Sequence, residues 1–499
     1  MSAPAIASVR LAAAIVAALL AATAPGARAE TGAGQGREKA HFVTFEFAAT
    51  PPAAPGTLCP GAADCWNDAV EPAIRADPGG TFYTATENTL FKGTIAAKSV
   101  DGGLHYASLP SPNILSSTPA GDFAPGGGDV DVAAAPVKND TGFYNVYVSS
   151  LSLADVTVSA STDGGATWNI NPTGAQVGGD DREWIAADGE RKVCISYHDL
   201  ATFNVDVDCS YDAGRTFVQH AVPGAIDAAH AFLLENNQLG NLAIDPRSHT
   251  VYQPLAGIAS PLEAGCGLTF ACKYHALWMA VSTDGGLTFT DYPVYLGPSD
   301  QVGYNHQFPN VAVDRAGNVY VVFSDDRAVY YSVSTDRGRS WRTPVAISSA
   351  PANTAIFPWA TAGDAGKLDV VYYGSPYADG VTPPDRFPTS APWFVYLAQS
   401  VDAIRPRSAF TQVQVTPAVH YGGVCEGGVS CSGNRDLYDD FGVAASPTTG
   451  FASIAYTSDR YVPQPGCAPE SANTYRCDHT EVATQTAGLR IFGRDDRDR

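Results

Sequence analysis

Lysine and arginine are scarce in this chain: 30 stand against 51 aspartates and glutamates, a formal charge of −21. Such a surface repels nucleic acid and anionic membranes, so neither is expected as a partner, and it points to neutral, cationic or metal-bridged ligands. Long apolar runs are also lacking. Beyond residue 29 none reaches the roughly 18 residues that a membrane helix needs, and no membrane contact is expected once the leader is removed. Amphipathic helical spacing is hardly seen. Three chemical signatures are missing: a Gly-x-Ser-x-Gly elbow, a His-Glu-x-x-His pair and a phosphate loop. An Asp-x-Asp-x-Asp-Gly loop is absent too, although Asp and Asn oxygens of the kind calcium takes are plentiful. No cofactor is required on this reading, and calcium is the metal that the ligand types suit.

At the start of the chain, Arg10 precedes the apolar run Leu11 to Ala24 and the small-residue stretch "ARA" ending at Ala29. This reads as a secretory signal over residues 1–29, with a mature chain beginning at Glu30 in the extracellular space or periplasm. The ten cysteines fall into five close pairs: Cys59 and Cys65, Cys194 and Cys209, Cys266 and Cys272, Cys425 and Cys431, Cys467 and Cys477. An even count paired by proximity in an exported chain favours disulfides over metal sites.

A short phrase, Ser-x-Asp-x-Gly-x-Thr-aromatic, recurs from Ser99, Ser161, Ser210, Ser282 and Ser334, with a degraded copy from Ser400. Its aspartates, Asp101, Asp163, Asp212, Asp284, Asp336 and Asp402, follow one another at intervals of roughly 50 to 70 residues, a repeat-architecture period. A second phrase, apolar strand, tight turn and longer strand, precedes each copy and occurs seven times, from "AIRADPGGTFYTATE" at Ala73 to "VAASPTTGFASIAYTSD" at Val443. Stretches such as "NVYVVFS" and "VYYSVST" are rich in β-branched and aromatic residues and bounded by Gly, Pro and Asp, which is strand and hairpin chemistry. Seven four-stranded units predict an all-β fold, a seven-bladed propeller of antiparallel blades over residues 58–499. In blade three, "KVCISY" and "VDVDCSY" would be neighbouring strands with Cys194 facing Cys209. Within the N-terminal segment 30–57, "AHFVTFEFAAT" alternates in strand fashion and is expected to close the ring on the last blade.

The repeated phrase resembles the Asp-box, or bacterial neuraminidase repeat, of sialidases and other secreted propellers. Physically it is a hairpin turn in which Gly supplies positive φ and the Ser and Asp side chains bond to local backbone, so it is expected to build the ring rather than to be the site. Chain direction puts functional residues on the opposite face, just before each first strand and just after each second strand. That rule selects Glu71, Asp129, Asp131, "DDREW" (Asp180 to Trp184), Asn237, Gln238, Tyr304, His306, Trp359 and "DLYDD" (Asp436 to Asp440), together with Glu87, His198, Asp199, Asp325, Arg327 and Arg460.

Sialidase chemistry, as the resemblance implies it, needs three arginines clamping a sugar carboxylate, an activated tyrosine and an acid. Arg182, Arg327 and Arg460 are the candidate cations, and Tyr304 or Tyr438 the candidate phenol. Glu183 is its partner and Asp181 or Asp325 the acid. His198, Asp199, His306, Trp359 and Asp439 are candidate ligand-binding residues. The family's Arg-Ile-Pro before the first strand is replaced by "AVEPAI", which places Val70 or Glu71 where the arginine would stand. Seven blades also differ from the six of sialidases. Two functions are thus expected to compete: an exported glycan-binding or glycan-hydrolysing propeller of exo-glycosidase type, and a non-catalytic scaffold recognising a protein or cell-wall partner.

Overall fold

In the computed structural model the described residues are 40–46, 70–88, 90–118, 121–152, 154–266, 273–298, 301–306, 308–427, 431, 434–439, 441–459 and 479–493. The expected signal segment, Cys59, Cys65, Cys272, Cys467, Cys477 and Arg460 lie outside them. Residues 38–499 form one compact unit.

Among the described residues, seven small antiparallel sheets form the blades, and a two-stranded pair, Ser116–Thr118 with Gly121–Phe123, stands beside them. Blade one consists of Ala73–Ala76, Phe82–Thr86, Ile95–Ser99 and Ala107–Ser108, and blade two of Val130–Lys138, Tyr144–Leu151, Val156–Ser161 and Asn169–Asn171. Blade three runs through Asp180–Asp188, Lys192–Asp199, Asn204–Ser210 and Gln219–Ala221. In blade four the inner strand is broken into Asn237–Leu239 and Ala243–Ile244, both paired with Val251–Gly257, which is followed by Ala276–Ser282 and Thr290–Leu296. Gly240 sits in that break with its Cα side against the Pro309 carbonyl, where a Cβ would lie 1.9 Å from the oxygen. Only glycine tolerates such an approach.

Blade five is Asn310–Val313, Val319–Ser324, Val329–Ser334 and Val345–Ala346, and blade six Thr354–Ala362, Leu368–Ser375, Pro392–Ser400 and Thr411–Gln414. The last blade combines Gly442–Ala445, Ala452–Ser458 and His479–Ala487 with His41–Glu46, which comes from the other end of the chain and pairs with residues 481–487 of the third strand. Each inner strand contacts the next, and that of blade seven returns to blade one. The ring is therefore closed by hydrogen bonds and leaves no wide edge between first and last blades.

The repeated turns join third to fourth strands. In blade four, Ser282 Oγ donates to Asp284 Oδ1 at 2.7 Å and accepts from the Gly286 N–H at 2.7 Å, while the Thr288 N–H donates to Asp284 at 3.0 Å. The same bonds recur around Asp163, Asp212 and Asp336. Gly286 has φ +97°, a value that a Cβ would penalise. Polar turn groups are thus satisfied locally, far from the end where the inner strands begin.

Between blades the filling is aliphatic and aromatic: Tyr320, Tyr372 and Tyr396 are fully buried, the last two stacked at 5.9 Å. Cys194 and Cys209 are register partners on neighbouring strands and form a disulfide, as do Cys425 and Cys431. Cys266 is also disulfide-bonded. No helix among the described residues is long and apolar enough to cross a membrane.

Candidate functional site

The axial cavity, about 320 Å³, is lined by inner strands of all seven blades. Alanine and valine dominate it, interrupted by one cation and two aromatics, Trp359 and Phe492: the Arg75 guanidinium lies 5.2 Å above the Trp359 ring and pairs with Asp131 at 3.0 Å. Trp359 was expected at the rim. It sits instead inside the strand Thr354–Ala362, past a bulge between Ile356 and Trp359 in which Phe357 has φ +52°. The extra residue re-aims the side chains that follow it.

A second bulge does the same in blade three. "DDREW" is the beginning of the inner strand rather than a preceding loop, and the register shifts between Asp181 and Glu183, with Arg182 at φ +61°. Arg182 leaves the alternation of the strand and enters the mouth of the ring. There its Nη1 donates to Glu71 Oε2 at 2.8 Å and lies 3.3 Å from Asp129 Oδ2, with the Trp184 and Phe308 rings 5.0 and 5.1 Å from its central carbon. A planar cation between aromatic faces is favourable when desolvated.

Arg435 completes the cluster. Its Nη2 donates to Glu71 Oε1 at 3.1 Å and to Asp439, and the Asp439 N–H donates to the same Glu71 oxygen at 3.3 Å. The Tyr438 ring packs 5.3 Å below its guanidinium. Arg435, which the sequence reading did not select, directly precedes "DLYDD". Its position four residues before Asp439 was the available signal. Glu71 joins the two guanidiniums.

Six carboxyls share this mouth with two guanidiniums, and their protonation separates. Burial opposes charge on Asp129, yet Arg182, a hydrogen bond with Glu71 and Arg435 hold it below the ordinary carboxylate range. Burial and the charges of Asp129 and Asp439 push Glu71 well upward against the pull of Arg182. Burial followed by Asp129 raises Glu87 to about 8 and Asp181 to about 6. The same two causes lift Glu183 well above its usual value, and its carboxyl oxygens have no hydrogen-bond partner among the described residues. The mouth therefore holds an ionised carboxylate beside several proton-bearing ones, the pattern that lets one site contain both an acid and a base.

The other expected residues lie elsewhere or have structural partners. Asp199 accepts from the Ala201 N–H at 2.7 Å and Thr202 Oγ1 at 2.5 Å, and Asp325 accepts from the Arg327 and Ala328 N–H groups at 3.0 and 2.8 Å, so both cap turns. His198 is held down to about 4 by burial, and its Nε2 has no hydrogen-bond partner among the described residues. Tyr304 packs against Tyr295 and Phe323. Glu183 makes no hydrogen bond to Tyr304 or Tyr438.

Arg327 is exposed, donates to the Gly380 carbonyl at 2.9 Å and lines a separate cavity of about 340 Å³ with Lys273 and His306. In that cavity His306 Nδ1 lies 2.9 Å from both Asp326 and Glu426. The structure thus pairs Arg182 with Arg435 and puts Arg327 in another pocket.

No family model and no curated protein matches the sequence. Solved structures similar in fold include an α-L-arabinanase of Penicillium chrysogenum in complex with arabinobiose (10% identity, TM-score 0.42, covering 86% of this chain and 96% of that one). Another is the intramolecular trans-sialidase of Ruminococcus gnavus in complex with oseltamivir carboxylate (11%, 0.41, 84% and 95%). A third is a protein of unknown function from Dyadobacter fermentans (12%, 0.42, 84% and 94%). These are neighbours in fold. The site has to be read from its own residues.

Proposed function

We propose that this chain is an exported propeller that binds and hydrolyses glycans at the mouth formed by Glu71, Glu87, Asp129, Asp181, Arg182, Arg435 and Asp439. The observation that carries the reading is the ionised Asp129 beside carboxyls that keep their protons. Asp181 is the proton donor to the glycosidic oxygen, with Glu87 as the second acid of the rim, and Asp129 stabilises the developing positive charge of the sugar. Arg182 and Arg435 anchor the carboxyls. Because their guanidiniums already meet Glu71, Asp129 and Asp439, the substrate class is a neutral or amino sugar, and a sugar carboxylate would enter an acidic site. The disulfides support export.

The test is incubation of the protein with neutral, amino, uronyl and sialyl arylglycosides, repeated with Asp181→Asn and Asp129→Asn. Turnover of neutral or amino glycosides, lost in both variants, is expected. If the wild type cleaves none of the four, the hydrolase reading fails. The scaffold reading is favoured by the hydrogen-bonded network in which Glu71 joins Arg182 to Arg435 and Asp439, which holds the mouth together by itself. Saturable glycan or peptide binding without turnover would establish it.

A further inference from the structure

Blades three and four are joined by a connection that leaves Gln219–Ala221, makes one helical turn at Pro223–Ile226 and returns to Asn237–Leu239. The turn packs against the third strand of blade three and the outer strand of blade four. Asp227 and His230 belong to this connection, and Asp291 to the outer strand Thr290–Leu296. One potential ligand atom from each lies within 4.8 Å of the others. His230 is set in place from two sides: its Nδ1 is 2.7 Å from Asp227 Oδ2, and its ring packs against Trp278 and Phe232 at 5.0 and 6.0 Å. Asp227 is itself fixed by the Ala229 N–H at 3.0 Å.

Asp291 is the independent observation. It is 2% exposed, and neither of its carboxyl oxygens has a hydrogen-bond partner among the described residues. A buried carboxylate without a donor is costly unless a cation meets it. The group it faces, an oriented imidazole and a second carboxylate, is a set that can ligate a cation.

We propose that Asp227, His230 and Asp291 bind a divalent transition-metal ion, zinc by preference, that ties the connection to the outer strand of blade four. Two carboxylates balance the charge of the ion, and one imidazole with two carboxylates suits zinc. Calcium would want six or more oxygens. Bonds of about 2.0 to 2.2 Å require the His230 ring and the Asp227 carboxylate, hydrogen-bonded at 2.7 Å, to turn toward the ion and Asp291. Asp291 is on the outer strand of blade four, and none of the three residues belongs to the mouth cluster, so the role assigned to the ion is structural.

The full chain, stripped with chelator and dialysed, is titrated with zinc while heat, zinc content and tryptophan fluorescence are followed. Wild type is expected to hold roughly one more equivalent of zinc than Asp291→Asn, to gain thermal stability on binding where the variant does not, and to show a fluorescence change that Trp278→Phe abolishes. His306→Gln, in the other histidine cluster, leaves that difference intact. Equal zinc content in wild type and Asp291→Asn, or a fluorescence change that survives in Trp278→Phe, overturns the site. Should Asp291→Asn fail to fold, His230→Gln makes the same comparison.

Discussion

Glu71 and Arg182, 111 residues apart in the chain, meet at 2.8 Å inside the mouth of the ring. Removal of Glu71 takes a hydrogen-bond acceptor from Arg182 and Arg435, which keep Asp129 and Asp439. Because burial favours the proton-bearing form of Glu71, Glu71→Ala is expected to cost about 2 kcal/mol, in the range for leaving buried polar groups without a partner. Acetate at mildly acidic pH, which refills the space with a carboxyl, should restore part of that loss where chloride does not. Thermal unfolding in the two salts reads the difference.

Much of the fold was legible because it is written locally. Strand composition, turn glycines and the Ser-x-Asp-x-Gly phrase act over a few residues, and each recurs often enough to be counted. The Cys194–Cys209 register followed from the same hairpin logic. The site was less legible, since its defining contacts join positions such as Glu71 and Arg435, 364 residues apart. Bulges also defeat the face rule: one extra residue at Arg182 and another at Phe357 change where the following side chains point, and nothing in "DDREW" or "TAIFPWATA" marks them. Asp199 and Asp325, chosen for charge, turn out to cap turns, a use that the Asp residue type serves as readily as catalysis.

The two proton-bearing carboxyls at the rim predict different pH profiles. A donor must be protonated, so activity falls as pH rises through its folded value. Loss of kcat above about 6 would identify Asp181, and loss above about 8 would identify Glu87. With Asp181 as the donor, Asp181→Asn is expected to lower kcat by about 100-fold or more, while Glu87→Gln retains most of it. Rates across pH 4 to 9, an interval on the order of the ordinary carboxyl range and above, decide between them.

Stability has its own pH dependence, set by carboxyls buried in the blades. Burial, reinforced for Asp180 and Asp206 by neighbouring aspartates, raises Asp180 to about 8, Asp206 to about 7 and Asp369 to about 7. A raised folded value means that the folded chain keeps protons that the unfolded chain releases. The stabilisation is full below the unfolded value of about 4 and is lost as pH rises through the folded values. Tm should therefore fall steadily from mildly acidic pH to pH of about 8. Asp369→Asn, which removes one such proton, should raise Tm at the alkaline end more than at the acidic end.

The disulfide between Cys194 and Cys209 closes a 15-residue separation. The chain-entropy model assigns such a loop about 3 kcal/mol. The double variant Cys194→Ala with Cys209→Ala should lose an amount of that order in urea unfolding. Peptide mapping without reduction should recover the two cysteines on one linked pair.

Ring closure rests on His41–Glu46, which has no covalent tie to the His479–Ala487 strand it completes. A chain beginning after residue 46 would expose the edge of that third strand over residues 481–487, a row of unpaired N–H and C=O groups that seeks another strand. Dimerisation or aggregation is expected from the truncated chain, along with a lower Tm. A synthetic peptide spanning residues 38–46 supplies the missing edge in trans, so added in excess it should restore a monomer and recover part of the Tm. A peptide with the same composition in scrambled order should not, because the pairing places Phe42, which packs against the core, at a fixed register opposite Gln485. Sedimentation and thermal unfolding with each peptide separate these outcomes. A truncated chain that stays monomeric with unchanged Tm would mean that the remaining three strands of blade seven hold the ring closed by packing alone.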